Sequence, residues 1–570
     1  MKLKKEVCFK VTFSALITII CLVCMVCRIR YGVDFSDEAW YVAEPYIVSQ
    51  GATPYVDLWT QASGFTFPLC FVYDIFVSLN NSTEGIFLFS RIVYVIWVFV
   101  LGFVTCILVK KIPFIFYLPY IMAGVNALYD INYNTIGQFY SLFVLAVLFI
   151  REESIAKINF GIGLLAGICM ARSIIGTPYT IIVFVLSLFF LIIKKRYSTL
   201  SGFVIGNALM AIITISYCSI KGNGIYSIFY GLKCFLIDGA YQNITPHYNF
   251  IDALSQQFIA YKNMWICLAV LGGLKILFLF VPVSAQKQSL KKSTAITILV
   301  FFLWGIYQGF EHGNLYYLIY GTFFCGIFLY LFLGKQQQYE GVAIIILINV
   351  LWYYMASLGN IYGFYGRQYI LMLSTVVSLW GVYLLCKDRR VQIRIGVYCM
   401  AIACCILVIC SNYSNVYRDE EINKLDSKVE EGVWKGCYTT KEQKEGIDFF
   451  EREIKELTNP GEKVLFLDWA SFGYLISDGQ PFNSSTYDTM CYSYSVNNPQ
   501  IMYDYFDLKK DIPDKIIYLD YGRDEKLSIE DKQWLFNEFI NEFYDYRTSD
   551  SMNEYRIVIY EKKYDVYNYY

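Results

Sequence analysis

The chain has 570 residues, of which 56% are hydrophobic and 17% charged. Lysine and arginine number 47 and aspartate and glutamate 48, so the near-zero net charge gives no electrostatic case for a nucleic-acid partner. Apolar residues recur in uninterrupted blocks from Val11 to Cys410. Such blocks are typical of a polytopic α-helical membrane protein surrounded by membrane lipids.

The apolar blocks divide into segments that are each close to the roughly 20 residues needed to cross a bilayer. We predict about thirteen transmembrane helices, near 9–27, 87–109, 112–128, 134–150, 158–175, 177–193, 200–218, 264–282, 294–309, 316–334, 341–358, 369–386 and 394–411.

The orientation of these spans depends on the segment 64–79, which is short and contains Pro68 and Asp74. We expect this segment to lie in the membrane interface, because counting it as a span would invert every later loop. The basic clusters then fall on the side of the N-terminus: 110–111, 151–157, 194–197, 286–292 and 387–394. The positive-inside rule therefore predicts a multi-pass plasma-membrane protein with a cytoplasmic N-terminus.

The sequence predicts two domains, a transmembrane domain over 1–411 and an extracytoplasmic α/β domain over 412–570. The second is more charged, with predicted strands and one amphipathic helix: "KVLFLD" (463–468), "KIIYLDY" (515–521) and "YRIVIYEKK" (555–563) as strands, and 532–546 as the helix. It contains no phosphate-binding loop or nucleophile elbow, so acceptor binding or support is expected of it rather than chemistry.

The predicted outer loop 28–86 carries the stretch "DFSDEAWYVAEPYIVSQGATPYVDLWTQ" at 34–61. Ser36 is placed to cap a helix that begins at Asp37, and the helix dipole favours acids in a first turn. This structural explanation accounts for Asp37 and Glu38 but not for Asp57, which follows in the extended piece "PYVDLW".

The stretch "DEAWYVAEPYIVSQGATPYVDLWTQASGFTFPLCFVYDIF", followed by "FSR" at 89–91, resembles the first outer loop of the GT-C membrane glycosyltransferases. The similar branch is the family 39-like one of protein O-mannosyltransferases and aminoarabinose transferases. A weaker similarity extends across the spans and includes Asp130 in "YDINYN" and Arg172, where the family usually has lysine. The resemblance leaves room for a divalent metal, although Ser63-Gly64 replaces the family's Pro-Pro pair and Gln61 an acid often found there.

The resemblance implies transfer of a sugar from a polyprenyl-phosphate carrier to an extracytoplasmic glycan, lipid or protein, with inversion. An inverting displacement needs one carboxylate base, and Asp37 is the candidate. The leaving phosphate needs a cation rather than an acid, and Arg172 or Arg367 can supply a guanidinium fork. For both arginines the alternative is a side chain that reaches to the membrane interface.

Further polar and aromatic residues are expected on the outer side. Glu38, Asp57, Asp130, His247 and His312 are candidates for donor or acceptor binding, and an ordinary solvated loop histidine is an equal alternative for the last two. Sugar stacking is expected of three aromatic residues: Trp40, Tyr41 and Trp59.

Two other classes of protein remain open. A lipid-linked sugar flippase or transporter would place its charges near the bilayer midplane and often shows a duplicated half, whereas these acids and cations are predicted at the outer mouth. A glycan polymerase or ligase without the same donor would place its working residues in a large late outer loop rather than in an early acidic one.

Overall fold

The structure, a computed structural model of the chain, describes most of the membrane region and of the C-terminal region. The described ranges are 2–59, 63–110, 112–124, 128–150, 156–221, 299–311, 315–333, 340–358, 365–386, 391–467, 470–483, 498–521 and 535–563, with isolated positions between 224 and 273. His247, His312 and most of the predicted span 264–282 lie outside the described residues.

The N-terminal region is built of apolar helices. Its first nine helices are α1 (Lys2–Arg28), α2 (Asp37–Ser49), α3 (Thr66–Asn80), α4 (Ile86–Val109), α5 (Leu118–Ala123), α6 (Tyr133–Phe149), α7 (Ala156–Gly176), α8 (Ile181–Ile193) and α9 (Tyr197–Lys221). Later helices are 299–311, Tyr316–Leu333, Glu340–Leu358, Leu373–Cys386, after a 3₁₀ segment at Tyr365–Met372, and Val391–Ser414.

By length and composition, seven helices of the described ranges could cross a membrane, and five further apolar helices are shorter. The α4 helix shows why such a helix suits lipid. One face carries exposed apolar side chains three or four residues apart, while Arg91 and Tyr94 on the other face are buried. The exposed residues are Ile92, Ile96, Val100, Phe103 and Ile107. These features, with a sheet-containing C-terminal region, are compatible with a helical membrane protein.

The predicted span 112–128 differs from a continuous helix. Pro113 precedes a short 3₁₀ turn at Phe114–Phe116, and α5 then ends at Gly124, whose φ of 60° lies in the left-handed region. Proline removes a backbone donor and glycine tolerates positive φ, so both residues interrupt the helix that hydrophobicity alone would predict.

One end of the helical region, which we call the domain face, lies against the C-terminal region. At the end of α1, the Arg28 guanidinium donates to the backbone carbonyls of Asn412 (2.6 Å) and Asn415 (3.2 Å). At the start of α4, the amides of Gly85 and Phe87 donate to the carbonyls of Gly432 and Val433. The chain therefore leaves α1 and enters α4 at the same face.

Helix α3 and the turn before it are together long and apolar enough to span a membrane. The contacts on either side of α3 show where it begins and ends. Before α3, Trp59 packs on Tyr505 with ring centroids 5.3 Å apart, and after it the Thr83 hydroxyl donates to the carbonyl of Leu475 at 2.7 Å. Both flanks of α3 thus contact the C-terminal region. The α3 helix therefore begins and ends near the domain face.

The opposite face carries basic residues. Lys110 follows the far end of α4, and the Arg196 guanidinium donates to the carbonyl of Leu148 near the end of α6 at 2.6 Å. Lys194 forms an ion pair with Glu340 at the same face. Cations therefore gather at the end of the helices away from the C-terminal region.

The C-terminal region contains a five-stranded sheet. Its strands are β3 (Lys463–Leu467), β4 (Gln480–Pro481), β5 (Lys515–Tyr521), β6 (Tyr544–Met552) and β7 (Tyr555–Lys562), in the order β4-β3-β5-β7-β6, and a two-stranded sheet pairs β1 (Ser427–Lys428) with β2 (Tyr438–Thr439). Strands β4, β3 and β5 are parallel, and β7 and β6 continue the sheet antiparallel.

The three predicted strands are confirmed in β3, β5 and β7. The predicted helix 532–546 is described from Leu535 and ends at Phe543, because Tyr544 already begins β6. Sequence analysis missed β6, whose side chains are mostly exposed and show little hydrophobic alternation, and the amphipathic helix Lys441–Leu457.

Helices α7 and α9 cross at unusually close range. A Cβ added to Gly163 or Gly167 of α7 would lie 2.2 Å from a backbone carbonyl oxygen of α9, and one added to Gly202 or Gly206 of α9 would lie equally close to α7. Small residues four positions apart allow the backbones of membrane helices to approach in this way. The crossing holds the end of α7, with Arg172, in place.

We expect Gly167→Ala to lower the thermal stability of the detergent-purified protein, by about 1–3 kcal/mol, since overpacked contacts have few ways to relax. Gly161→Ala is the matched control on the same helix, because nothing lies within 4 Å of the added methyl group. Thermal midpoints of the two variants would be compared with the parent. Equal midpoints for both variants would contradict the close crossing.

Candidate functional site

The N-terminus of α2 is held by Asp34. Its carboxylate accepts hydrogen bonds from the Ser36 amide (3.1 Å), the Ser36 hydroxyl (2.8 Å) and the Glu38 amide (2.9 Å). Ser36 makes no side-chain cap bond, so the prediction that it caps α2 is wrong. Asp34 caps α2 instead, because the turn between Asp34 and Asp37 brings its carboxylate within hydrogen-bonding distance of the Ser36 and Glu38 amides.

Glu38 and Arg91 form a buried ion pair. The Arg91 Nε and one terminal nitrogen donate to the two Glu38 oxygens at 2.5 and 2.6 Å, and the side chains are only 1% and 6% exposed. The remaining Arg91 donors face the carbonyls of Ile29 and Gly32, each at 2.8 Å, and the Cys437 sulfur. Glu38 therefore has no surface from which to bind a substrate.

Asp130 is also fully buried, in the turn before α6. Its Oδ1 accepts from the Ser90 hydroxyl at 2.8 Å, and Ser90 in turn accepts from the Tyr73 hydroxyl at 2.7 Å. Burial, followed by the negative charge of Glu38, raises the pKa of Asp130 well above its usual value. Asp130 thus lies behind Glu38 rather than at a surface.

Asp37 points towards the segment that links the last membrane helix to the C-terminal region. It accepts a hydrogen bond from the Tyr417 hydroxyl and pairs with the Arg418 guanidinium at 3.2 Å. Its side chain is 13% exposed, compared with 4% for Asp34. Burial and the charge of Asp37 raise the pKa of Tyr417, so its hydroxyl remains a donor at neutral pH.

Asp57 and Trp59 join the outer loop to the C-terminal region. Asp57 accepts from the Thr53 amide at 2.7 Å and forms an ion pair with Lys509. Trp59 is buried on Tyr505, and its indole N–H donates to the carbonyl of Val56 at 2.9 Å. The Asp57 side chain is partly exposed, whereas the Trp59 ring is buried in an apolar cluster of the C-terminal region.

Arg172 is buried near the end of α7. Its two terminal nitrogens donate to the backbone carbonyls of Gly64 and Phe65, immediately before α3. The Tyr55 hydroxyl bonds the carbonyl of Ile175 at 2.9 Å beside it. Arg172 therefore ties the start of α3 to the membrane helices.

Trp40 and Tyr41 pack in an aromatic cluster with Phe65 and Tyr133. The Trp40 and Tyr41 ring centroids are 5.0 Å apart, and Trp40 lies 5.6 Å from Tyr133. Both are largely buried, at 6% and 5% exposure. Arg367 belongs by its backbone to the 3₁₀ segment Tyr365–Met372 on the domain face, and its side chain lies outside the described residues.

The acidic loop offers few side chains from which a metal site could be built. The described part of the chain contains no group of three or more histidine, cysteine, aspartate or glutamate side chains that could hold a metal ion. Asp37 and Glu38 each face an arginine instead, and Gln61 is not among the described residues. The described residues of the acidic loop therefore do not fit a metal ion.

The structure brings together Asp34, Asp37, Glu38 and Asp130 with partners that sequence reasoning missed. Arg91 was noticed only as part of "FSR", and neither Arg418 nor Tyr417 carries a local signal, because 380 residues separate Tyr417 from its partner Asp37. A buried arginine near the start of an apolar helix does predict some carboxylate partner, since an unpaired charge there is costly.

Chemically, the arrangement presents the Asp37 carboxylate at the edge of the first turn of α2. Glu38 is held by Arg91, and Asp34 is held by backbone amides. Tyr417 and Arg418 orient Asp37 from the front. A carboxylate in such a position can accept a proton or hydrogen-bond a hydroxyl group.

Comparisons of the chain with protein-family models, with curated proteins and with solved structures find no match.

Asp34→Ala should destabilise α2 by about 1–2 kcal/mol, because it removes the acceptor for two backbone amides. Ser36→Ala should cost less, since Ser36 bonds no helix amide. Urea or thermal unfolding of both variants checks the ranking. A larger loss for Ser36→Ala would restore serine as the cap.

Proposed function

We propose that the chain is a membrane glycosyltransferase of the GT-C fold with about thirteen spans, counted from lengths of roughly 20 residues. It transfers a sugar from a polyprenyl-phosphate carrier to an extracytoplasmic glycan, lipid or protein acceptor with inversion. The proposal rests on the sequence resemblance and on the position of Asp37. The other acids at the start of the outer loop are committed to structural contacts, and Asp37 keeps an exposed edge.

In this proposal Asp37 is the base that takes the proton of the acceptor hydroxyl. Tyr417 and Arg418 hold its carboxylate in a fixed direction, which reduces the reorganisation needed when the hydroxyl approaches. The leaving phosphate needs a cation but no proton. Arg172 and Arg367 remain candidates, and Arg172 would have to use donors that Gly64 and Phe65 leave available.

The location of the polar groups supports an enzyme over a flippase. Asp37, Asp57, Asp130 and the start of α3 with Arg172 all lie at the domain face rather than midway along the helices. A transporter site is expected near the bilayer midplane. A flippase remains the alternative outcome if no bond chemistry is found.

The proposed orientation places the domain face outside and the basic face in the cytoplasm, in agreement with the positive-inside rule. A reporter fused after Ser411 should therefore be active outside the cell, and one fused after Lys195 inside. Exchanged locations, with the Ser411 fusion inside and the Lys195 fusion outside, would contradict the interfacial course of α3 and the placement of the acids. Two reporters on one side would contradict the number of spans between them.

Asp37→Asn should lower turnover by about a hundredfold to ten-thousandfold, because an amide of the same size cannot take a proton. Purified protein would be incubated with a panel of polyprenyl-phosphate sugars, and released polyprenyl phosphate would be measured. Donor binding and the thermal midpoint should change little.

Glu420→Gln is the matched control, because Glu420 lies two residues after Arg418, is 55% exposed and pairs only with the exposed Lys424 among the described ion pairs. This variant should retain parental turnover. Glu38→Gln would be a poor control, since it disturbs the buried Arg91 pair. Normal transfer by a folded Asp37→Asn protein would remove Asp37 from the proposed chemistry.

A further inference from the structure

Two buried carboxyl groups meet behind the first turn of α2. Asp130 accepts a hydrogen bond from Ser90 and Glu38 accepts one from Arg91, the next residue of α4, so the two carboxyl groups are held by neighbouring side chains. Alongside burial, the larger cause, the negative charge of Glu38 contributes to the raised pKa of Asp130. Oδ1 of Asp130 accepts a hydrogen bond from the Ser90 hydroxyl, but Oδ2 has no hydrogen-bond partner among the described residues. Asp130 is fully buried and Glu38 is 1% exposed. Two carboxylates without a proton between them would repel each other in this environment.

Arg91 does not offset the repulsion between the Asp130 and Glu38 carboxylates. Arg91 uses its Nε and terminal nitrogens on both Glu38 oxygens, two carbonyls and the Cys437 sulfur. A guanidinium has five N–H donors, so none is left to satisfy Asp130. One positive charge also balances only one carboxylate. A proton on Asp130 would supply the absent donor and make the group of three neutral.

We propose that Asp130 is a neutral carboxylic acid that donates a hydrogen bond to Glu38. This pair, together with the bidentate contact of Arg91 to Glu38, positions the first turn of α2. In this arrangement Asp130 is a positioning residue, because it is fully buried and meets Glu38 rather than a substrate. Its consequence for sugar transfer rests on the proposed function, since Asp37 begins the same turn.

The other titratable groups that face Asp130 do not change this balance near neutral pH. They are Tyr73 on α3, Tyr94 on α4 and Cys437 in the C-terminal region. Tyrosine and thiol groups are neutral there, and burial raises the pKa of Cys437 to about 11. Arg91 and Glu38 are therefore the charged groups that act on Asp130 at close range.

The sign of the pH effect follows from the raised pKa of Asp130. Between the usual aspartate pKa of about 4 and the raised folded value, the folded protein binds one more proton than the unfolded chain. The contribution of Asp130 to stability is therefore complete at low pH and is lost as the pH rises. Asparagine, which is neutral in both states, lacks this dependence.

The first test compares Asp130→Asn with the parent in full-length protein in detergent. The variant should fold and be at least as stable, and the ratio of the two unfolding constants should grow in its favour as the pH rises, with a limiting slope of about tenfold per pH unit. Thermal midpoints from about pH 5 to pH 8 measure this. A variant that is less stable at every pH, or that fails to fold, would overturn the proposal.

A double-mutant cycle provides the second test. In Glu38→Gln, Asp130 can ionise and become the counter-ion of Arg91, so the loss of stability should be limited. Glu38→Gln with Asp130→Asn leaves Arg91 buried without a carboxylate and should be worse than the sum of the single changes by about tenfold or more in the unfolding constant. Additive effects would show that the two carboxyls do not share a proton.

Activity separates this inference from the proposed function. If the parent transfers sugar, Asp130→Ala should lower turnover more than Asp130→Asn, because asparagine keeps the size and the hydrogen bonds of a neutral carboxylic acid. If the parent shows no transfer on any polyprenyl-phosphate sugar, the proposed function fails, while the stability tests still decide the role of Asp130. An inactive but stable Asp130→Asn in an active parent background would assign Asp130 an ionised, chemical role instead.

Discussion

The buried pair of Glu38 and Arg91 is the interaction on which the domain face depends. Removing two charges from water costs several kcal/mol for each ion, and only close bidentate geometry with further hydrogen bonds compensates for this. Here the pair is bidentate, and the same guanidinium also binds the carbonyls of Ile29 and Gly32. Because these groups lie on α2, α4 and the end of α1, one arginine fixes how three elements meet.

The C-terminal region closes over this junction rather than standing apart from it. Trp434 stacks on Phe87 at the start of α4 with ring centroids 4.6 Å apart, and Phe35 packs on the same indole at 5.2 Å. The Asp419 carboxylate accepts from the Val33 amide at 2.9 Å. The segment before α2 is therefore covered by the membrane helices on one side and by the C-terminal region on the other. This enclosure explains why a strongly acidic stretch is mostly buried.

Hydrophobic patterning predicted most of the helices and the strands β3, β5 and β7, because long apolar runs and buried strands leave a local signature. The same signal could not show the breaks at Pro113 and Gly124 within one run, or the mostly exposed strand β6. In the candidate site, the acids of the outer loop were recognised from sequence, but their partners were not. The contacts of Asp37 with Arg418 and of Glu38 with Arg91 join distant segments, so they arise from tertiary packing alone.

Adjacent acids in one helical turn thereby acquire different properties. Successive residues of an α-helix point about 100° apart, so Asp37 and Glu38 cannot face the same surroundings. Glu38 turns inward to a cation that is itself buried, and Asp37 turns to a tyrosine and an arginine that are partly exposed. The inner acid stabilises the turn and cannot meet a substrate, whereas the outer acid is oriented by that turn and keeps an exposed edge. A carboxylate that acts as a base needs a fixed direction and access from outside. For Asp37, the direction depends on the turn that Glu38 and Arg91 hold in place, and the access depends on its exposed edge.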